Sequence, residues 1–354
     1  VVNMSLSEQA AYAPLLHAVW HGLTLTDVVF PSFLFVVGAA MSYTLPRYQA
    51  LGAAAVWRKV AQRTALIFLC GYLLYWFPFV QFDAAGHLAM RPLSGTRILG
   101  VLQRIALAYG IASLLLHHGG QRAAVVYSVL ALLGSWWVMA HFGDYTLQGN
   151  AGLRLDRWLL GEAHLYKGEG IPFDPEGVLG TFPAVVQVLA GFGAARLVQQ
   201  GGASLATVAR LMVVGTGCVL LATAWHGLLP INKKLWTSSF VLYAAGWSML
   251  ALSMVLWAAD VHGRARALSF FTIFGRNPLL AYISSELLVL ILFLVTLTGP
   301  DGQPISGYAW LYRHTAMMLA GDTAVGSFVF AVGFMLVNWL LAWWAYSRGL
   351  VLKV

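Results

Sequence analysis

The stretch Val28-Val29-Phe30-Pro31-Ser32-Phe33-Leu34-Phe35-Val36-Val37-Gly38-Ala39-Ala40 decides the fold class. It is near-continuously apolar and reads as a membrane span. Similar runs recur: the first covers about 27–45, and others fall at about 63–80, 98–116, 123–141, 178–198, 205–225, 236–258, 268–297 and 325–346. Spans of a β-barrel would instead alternate polar and apolar residues over roughly 10-residue segments. Composition agrees with helices in lipid. Hydrophobic residues make up 60% of the 354 and charged residues only 10%, whereas a soluble domain carries about 25% charged residues. The 14 Trp and 36 Gly suit membrane helices, where Trp marks the interfaces and Gly is tolerated. The expected fold is an all-α polytopic transmembrane helix bundle, a single integral-membrane domain over 1–354. The stretch from Gly307 to Ala320 is shorter and amphipathic, an extra span or an interfacial helix. Val1-Val2-Asn3 reads as the tail of a truncated first span, which brings the expectation to ten to eleven spans.

The net charge is +8, which in a soluble protein would suggest nucleic acid. Here loop charge that orients helices explains it, and no nucleic-acid partner is expected. Loops on one side carry Arg47, Arg58, Lys59, Arg63, Arg122, Arg264, Arg266 and further bases against one acid, Asp260. Loops on the other side are slightly acidic. The positive-inside bias makes the basic side cytoplasmic, with the C-terminus there. The segment before Asp27, the acidic loop at about 142–177 and the Lys233-Lys234 turn then face outward. Cys70 and Cys218 both lie in apolar runs and read as inert thiols with no metal spacing. The remaining histidines show no metal-ligand spacing with a carboxylate, so no metal is expected. No Walker A, GxGxxG or GxSxG motif occurs in the required strand-turn-helix setting, which argues against nucleotide hydrolysis and soluble-type hydrolase chemistry.

Ionisable groups within or at the edge of spans are the next signal: Asp27, Arg104 and Glu286. Each costs roughly 2.5–3.5 kcal/mol at a helix centre, so each is expected to face a protein cavity. They are either structural ion pairs and caps or part of a path for a polar substrate. Asp27 also fits a helix-capping role. The loop containing Leu155-Asp156-Arg157-Trp158 and Phe173-Asp174-Pro175-Glu176-Gly177 combines aromatic, acidic and basic side chains. That mixture suits a sugar, whose faces stack and whose edges hydrogen-bond; ordinary turn chemistry is the alternative. His17 sits in Leu15-Leu16-His17-Ala18-Val19-Trp20-His21-Gly22, at the mouth of the first complete span. An imidazole there can move protons or attack an acyl group near neutral pH.

The segment Leu16-His17-Ala18-Val19-Trp20-His21-Gly22-Leu23-Thr24-Leu25-Thr26-Asp27-Val28-Val29-Phe30-Pro31 resembles the heparan-α-glucosaminide N-acetyltransferase family of transmembrane acyltransferases. Further blocks agree in order: Gly100-Val101-Leu102-Gln103-Arg104, Leu155-Asp156-Arg157 through Tyr166, Phe173 through Thr181, Pro230-Ile231-Asn232-Lys233-Lys234-Leu235-Trp236, and, more weakly, Arg276-Asn277-Pro278 through Tyr282. The resemblance implies a compact bacterial homologue in the inner membrane. It would pass acetyl from cytosolic acetyl-CoA to the amine of a glucosamine-type sugar on the periplasmic side. The family's essential histidine falls on His17, as general base or acyl carrier, and an asparagine near the end of its first helix falls on Asn3. Substrate contacts are expected from Asp27, Arg104, Arg157, Asp174, Glu176, Lys234, Trp236, Asn277 and Glu286. Arg47, Arg58, Lys59, Arg63, Arg264 and Arg266 are placed to attract the CoA phosphates, with positive-inside anchoring as the plainer explanation of each. The lipid bilayer and the amino-sugar acceptor are the expected partners. The oligomeric state stays open, a homodimer among the options. A transporter of amino sugars, using the same intramembrane polar groups, is the competing expectation.

Overall fold

Every apolar run folds as helix, since in lipid a helix satisfies its own backbone polar groups. The computed structural model describes residues 11–82, 87–300 and 302–352, and Asn3 lies outside the described residues. The chain divides into two units. The larger comprises Ala18–Leu23 and Asp27–Gly263; the smaller comprises 11–17, Thr24–Thr26 and the chain from Arg264 on.

The larger unit contains α1 (Val29–Gln49), α2 (Ala53–Trp76), α3 (Val101–Phe142), α4 (Ala151–Leu160), α5 (Val178–Gly201), α6 (Leu205–Trp225) and α7 (Ser238–Leu256). A short antiparallel hairpin, β1 (Val80–Phe82) and β2 (Leu88–Met90), precedes α3. The 42-residue α3 is two helices. At Gly120 the backbone leaves helical geometry with φ 58°, a value glycine adopts without strain. Arg104 and Met139, which a straight helix would hold about 50 Å apart, line one cavity. The halves 101–119 and 121–142 therefore fold back on each other.

The core of this unit is α5. Its face presents Ala184, Val185, Val188 and Leu189 to Phe30 and Leu34 of α1, Tyr109 and Ala112 of α3, and Phe240 and Ala244 of α7. Two glycines set how closely α1 and α5 approach. A Cβ on Gly38 would lie 1.8 Å from the Val188 carbonyl oxygen, and one on Gly191 would lie 1.8 Å from the Phe35 carbonyl oxygen. With no hydrophobic drive between helices in lipid, such backbone-to-backbone contact supplies the van der Waals energy that holds them. Gly215 of α6 and Gly246 of α7 repeat the device, each facing the other's carbonyl.

The smaller unit contains α8 (Ser269–Arg276), α9 (Pro278–Leu294), the β3 (Thr296–Thr298) and β4 (Pro304–Ser306) hairpin, α10 (Gly307–His314), α11 (Ala316–Ala320) and α12 (Ala324–Ser347). The chain from Ala265 to Leu294 bends by 70° at Asn277, the residue before Pro278, where proline's ring disfavours helical geometry. Trp339 stacks on Phe270 at 5.2 Å and donates to the Phe270 carbonyl. Asn338 accepts from the Ser284 hydroxyl.

The protein is a multi-pass α-helical membrane bundle. Among the described residues, six helices are long and apolar enough to cross a membrane, or up to seven with the bent pair counted as one span. The sequence leads one to expect ten to eleven, and the difference has physical sources. The two halves of α3 count once although they fold back on each other. Helix α2 carries Arg58, Lys59 and Arg63, so its apolar stretch is short. The stretch 307–320 forms α10 and α11, each far shorter than a span. The expected truncated first span falls on residues outside those described.

Asp156 joins α4 to α5: its Oδ1 accepts the Val178 N–H at 2.8 Å, at the first turn of α5. Burial pushes its carboxyl from 3.8 up to about 7, against the pull of the Val178 hydrogen bond. The folded protein thus holds a proton that the unfolded chain releases near 3.8. Stability from this group is complete below that value and is lost as pH rises through about 7. An Asp156→Asn variant keeps the acceptor without the charge. In detergent it should melt higher than the parent protein at pH 8, by about 3–6 °C; the gap should shrink by pH 5 and close below about pH 4, and a gap that ignores pH contradicts the assignment. At the α1–α5 crossing, Gly191→Ala should cost about 1–3 kcal/mol through overpacking. Gly193→Ala, whose Cβ would meet nothing within 4 Å, should cost nothing. Equal melting temperatures for the two would rule out the close approach as a stability determinant.

Candidate functional site

The loops at one end of the larger unit converge into a buried polar network. Arg97, just before α3, is its hub. Its Nε and Nη2 donate to both carboxylate oxygens of Asp174, at 2.8 and 2.6 Å, and Nη2 also meets Glu176. The guanidinium lies between the rings of Tyr75 and Tyr166, at 4.9 and 4.7 Å from their centroids. Burial alone would make Arg97 more acidic; the bond to Asp174 and the charges of Glu176 and Asp174 more than reverse this and keep it protonated.

Three residues of Asp174-Pro175-Glu176-Gly177 have a clear physical reason. Asp174 takes Arg97 in a fork and accepts the Glu176 N–H at 2.9 Å. Glu176 adds the second negative charge. Gly177 leaves room that a side chain would fill, since its Cβ would lie 1.9 Å from Asp156 Oδ2. The Gly177 carbonyl accepts from Arg104 Nη2 at 2.9 Å. Arg104, 1% exposed, lies 4.6 Å above the ring of Trp236. Trp236 is itself held at φ 53°, a left-handed conformation that costs a bulky residue roughly 1–3 kcal/mol. Phe30 and Phe240 pack edge-on to its ring. Arg104, Asn150, Asp156, Asp174 and Lys234 line a cavity of about 20 Å³, enough for a water-sized guest.

A second part of the network straps the segment after His17 to the turn at 230–237. Asn232 Oδ1 accepts the Leu235 N–H at 2.8 Å, which orients its amide so that Nδ2 donates to His21 Nδ1 at 3.2 Å. Gly22 donates to the Ile231 carbonyl, and Lys234 Nζ donates to the Val19 carbonyl at 3.0 Å. Asp27 accepts the Ala18 N–H at 3.1 Å, with Lys233 Nζ at 3.5 Å from its other oxygen. Trp20 Nε1 donates to the Tyr145 carbonyl at 2.7 Å. Burial pushes the Lys233 ammonium down, against the pull of Asp27 and Glu176. Burial and the neighbouring His226 push His21 down, in keeping with its role as an acceptor. Thr237 locks the turn by donating to the Pro230 carbonyl and accepting the Asn232 N–H.

The structure therefore brings Asp27, Arg104, Asp174, Glu176, Lys234 and Trp236 together at one end of the larger unit. Lys234 pairs with Glu169 at 2.6 Å and lies 5.9 Å from the Trp20 ring centroid. Arg157 stays at the surface of α4 in a half-exposed pair with Glu162, worth little energy. Arg47, Arg58 and Lys59 are exposed at the opposite end of the same unit, and Arg63 lies over Tyr109. His17, Asn277, Glu286, Arg264 and Arg266 belong to the smaller unit. His17, Glu286, Arg264 and Arg266 are exposed. The buried Asn277 donates to the Leu350 carbonyl and accepts the Leu352 N–H, so its amide anchors the end of the chain. Among the described residues, no group of three His, Cys, Asp or Glu could hold a metal.

The sequence reading missed Arg97, Asp156, Lys233 and Asn232 as members of the site. Arg97 looks like loop charge, since it stands outside any apolar run. The signal available was the paired acids Asp174 and Glu176, which call for a buried cation.

No family model matches the chain. It is similar to human Heparan-alpha-glucosaminide N-acetyltransferase, 26% identical over 329 residues, covering 76% of this chain and 48% of that protein. The mouse protein of the same name is likewise 26% identical, over 331 residues, covering 77% of this chain and 49% of that protein. The chain spans about half the length of these curated relatives, and the two matches make it their distant homologue.

Proposed function

We propose that the chain is a membrane N-acetyltransferase that moves acetyl from acetyl-CoA to the amine of a glucosamine-type sugar. The carrying observation is spatial. The sequence blocks that resemble the acetyltransferase family, around Arg104, Asp174-Pro175-Glu176-Gly177 and Asn232-Lys233-Lys234-Leu235-Trp236, lie far apart in the chain yet meet in one buried network. The names of the distant relatives supply the reaction class. A thioester is activated for aminolysis, but the attacking amine must be neutral. In this reading His17 takes the ammonium proton as general base, or carries the acetyl itself. Asn3 is its expected partner. Asp27, Arg104, Asp174, Glu176, Lys234 and Trp236 shape the acceptor site. The exposed bases Arg47, Arg58, Lys59, Arg264 and Arg266, with the half-buried Arg63, attract the CoA phosphates from the cytoplasmic side, the C-terminus lies on that side, and the acceptor arrives from the opposite face of a bacterial inner membrane.

One observation favours the transporter alternative: the 70° break between α8 and α9, since discontinuous helices line many translocation sites. The two readings separate in proteoliposomes. Glucosamine uptake without acetyl-CoA would replace the enzyme reading with transport.

The direct test is purified protein with acetyl-CoA and glucosamine, following CoA release. His17→Ala should lower turnover about 10²–10⁴-fold while the melting temperature stays put; undiminished turnover would reject His17 as base and carrier. The clamp yields a separate expectation. Arg97→Gln leaves Asp174 buried without its cation, at a cost of about 3–5 kcal/mol. It should lower the melting temperature far more than Arg157→Gln, whose surface pair is worth about 0–1 kcal/mol.

A further inference from the structure

Buried donors need acceptors, and at this site three lack one. Arg104 is 1% exposed, and among the described residues only its Nη2 finds a partner, the Gly177 carbonyl. Its Nε and Nη1 have none, and neither has the indole Nε1 of Trp236, 1% exposed, over whose ring the guanidinium lies. Both side chains are donors only. A buried donor left unmatched costs about 1–3 kcal/mol, more when charged. The surroundings are arranged around the pair. Gly180 of α5 makes room, since its Cβ would lie 2.8 Å from Arg104 Nη2 and 3.0 Å from the Trp236 Cβ. Trp236 is held in a strained left-handed conformation, a signature that concentrates at functional sites. The charges of Glu176 and Asp174 favour the ionised form of Arg104 against its burial, yet no carboxylate bonds its Nε or Nη1. Arg104 and Gly180 line the 20 Å³ cavity, which is large enough for one oxygen-sized group.

We infer that Arg104, together with the unmatched indole N–H of Trp236, whose ring lies against its guanidinium, is a donor site for a carbonyl oxygen that becomes an oxyanion. The inference rests on the acyl-transfer reading above and assigns these two side chains a step in it. The amine lone pair forms a bond to the thioester carbonyl carbon, and the carbonyl π pair moves onto oxygen. That oxygen, now negative, takes the donors. The pair then returns, the carbon–sulfur bond breaks, and the thiolate leaves with its electrons. The amine's proton passes to the base and the thiolate is protonated from solvent. Donors fixed in a water-poor site favour the negative oxygen over the neutral carbonyl, which is the condition for raising kcat.

The test uses full-length protein in detergent with acetyl-CoA and glucosamine. Trp236→Phe removes the indole N–H and keeps an aromatic ring under Arg104. Arg104→Lys keeps the charge but not the fork of donors. Loss of an oxyanion donor costs about 10²–10³ in kcat, so at least one variant should lose that much, with KM for acetyl-CoA changed less than threefold. A loss in one variant alone names that side chain as the donor. Melting temperatures are measured alongside; should Arg104→Lys fail to fold, Trp236→Phe and Arg104→Gln decide. If the parent protein transfers acetyl and the folded variants keep kcat within threefold, the inference falls while the acyltransferase reading stands. A change in KM alone makes the pair a ground-state binding site and also overturns it. If the parent protein transfers no acetyl, the reading and the inference fall together.

Discussion

The site end of the larger unit depends on one guanidinium. Arg97 binds Asp174 through two nitrogens and meets Glu176 through one of them, and two tyrosine rings enclose its faces. Asp174 has a fully buried side chain. An isolated carboxylate at that depth would cost several kcal/mol, and only a well-oriented cation offsets it. The clamp thereby fixes the entry of α5 against the entry of α3. Gly177 then presents its carbonyl to Arg104, and Asp156 meets the first N–H of α5. The local geometry of the network follows from where this pair is held.

Helix packing sets the second constraint. Glycines at the α1–α5 and α6–α7 crossings bring backbones into contact, which fixes the frame on which the loops are hung. On such a frame a strained residue can persist, because many contacts over-determine it. Trp236 is that residue. Its ring is gripped by Phe30 and Phe240, and the turn before it is locked by Asn232 and Thr237. The indole cannot relax without breaking this set, so it remains a rigid platform for Arg104.

Much of the fold was legible because membrane helices carry a strong signal. All nine apolar runs are helical, and Gly120 lies in the polar break between two of them. The number of spans was less legible, since hydropathy separates the two runs that fold back within α3 but understates the weight of Arg58, Lys59 and Arg63 in α2. Of the expected substrate residues, Asp174, Glu176, Arg104 and Trp236 meet in one network. Arg157 and Asn277 do not join it, because a charged or amide side chain near a motif says nothing about which partner it takes. Arg157 found Glu162 on the surface, and Asn277 found the backbone of Leu350 and Leu352. Arg97 escaped notice for the converse reason: its burial comes entirely from elements distant in sequence.

Net charge concealed a division that the structure makes plain. At one end of the larger unit Arg47, Arg58 and Lys59 are exposed, free to attract an anion and poor at holding a fold together. At the other end the cations are largely sheltered and mostly committed: Arg97 to Asp174 and Glu176, Lys233 to Asp27, Lys234 to Glu169. A committed cation has spent its hydrogen bonds and has little left to offer a ligand. Arg104 breaks that pattern. Its charge is offset at a distance by the carboxylates of Glu176 and Asp174, while two of its nitrogens keep their hydrogens unmatched. Long-range compensation lets a guanidinium stay buried and ionised; the unmatched hydrogens equip it to act on something that is not part of the fold.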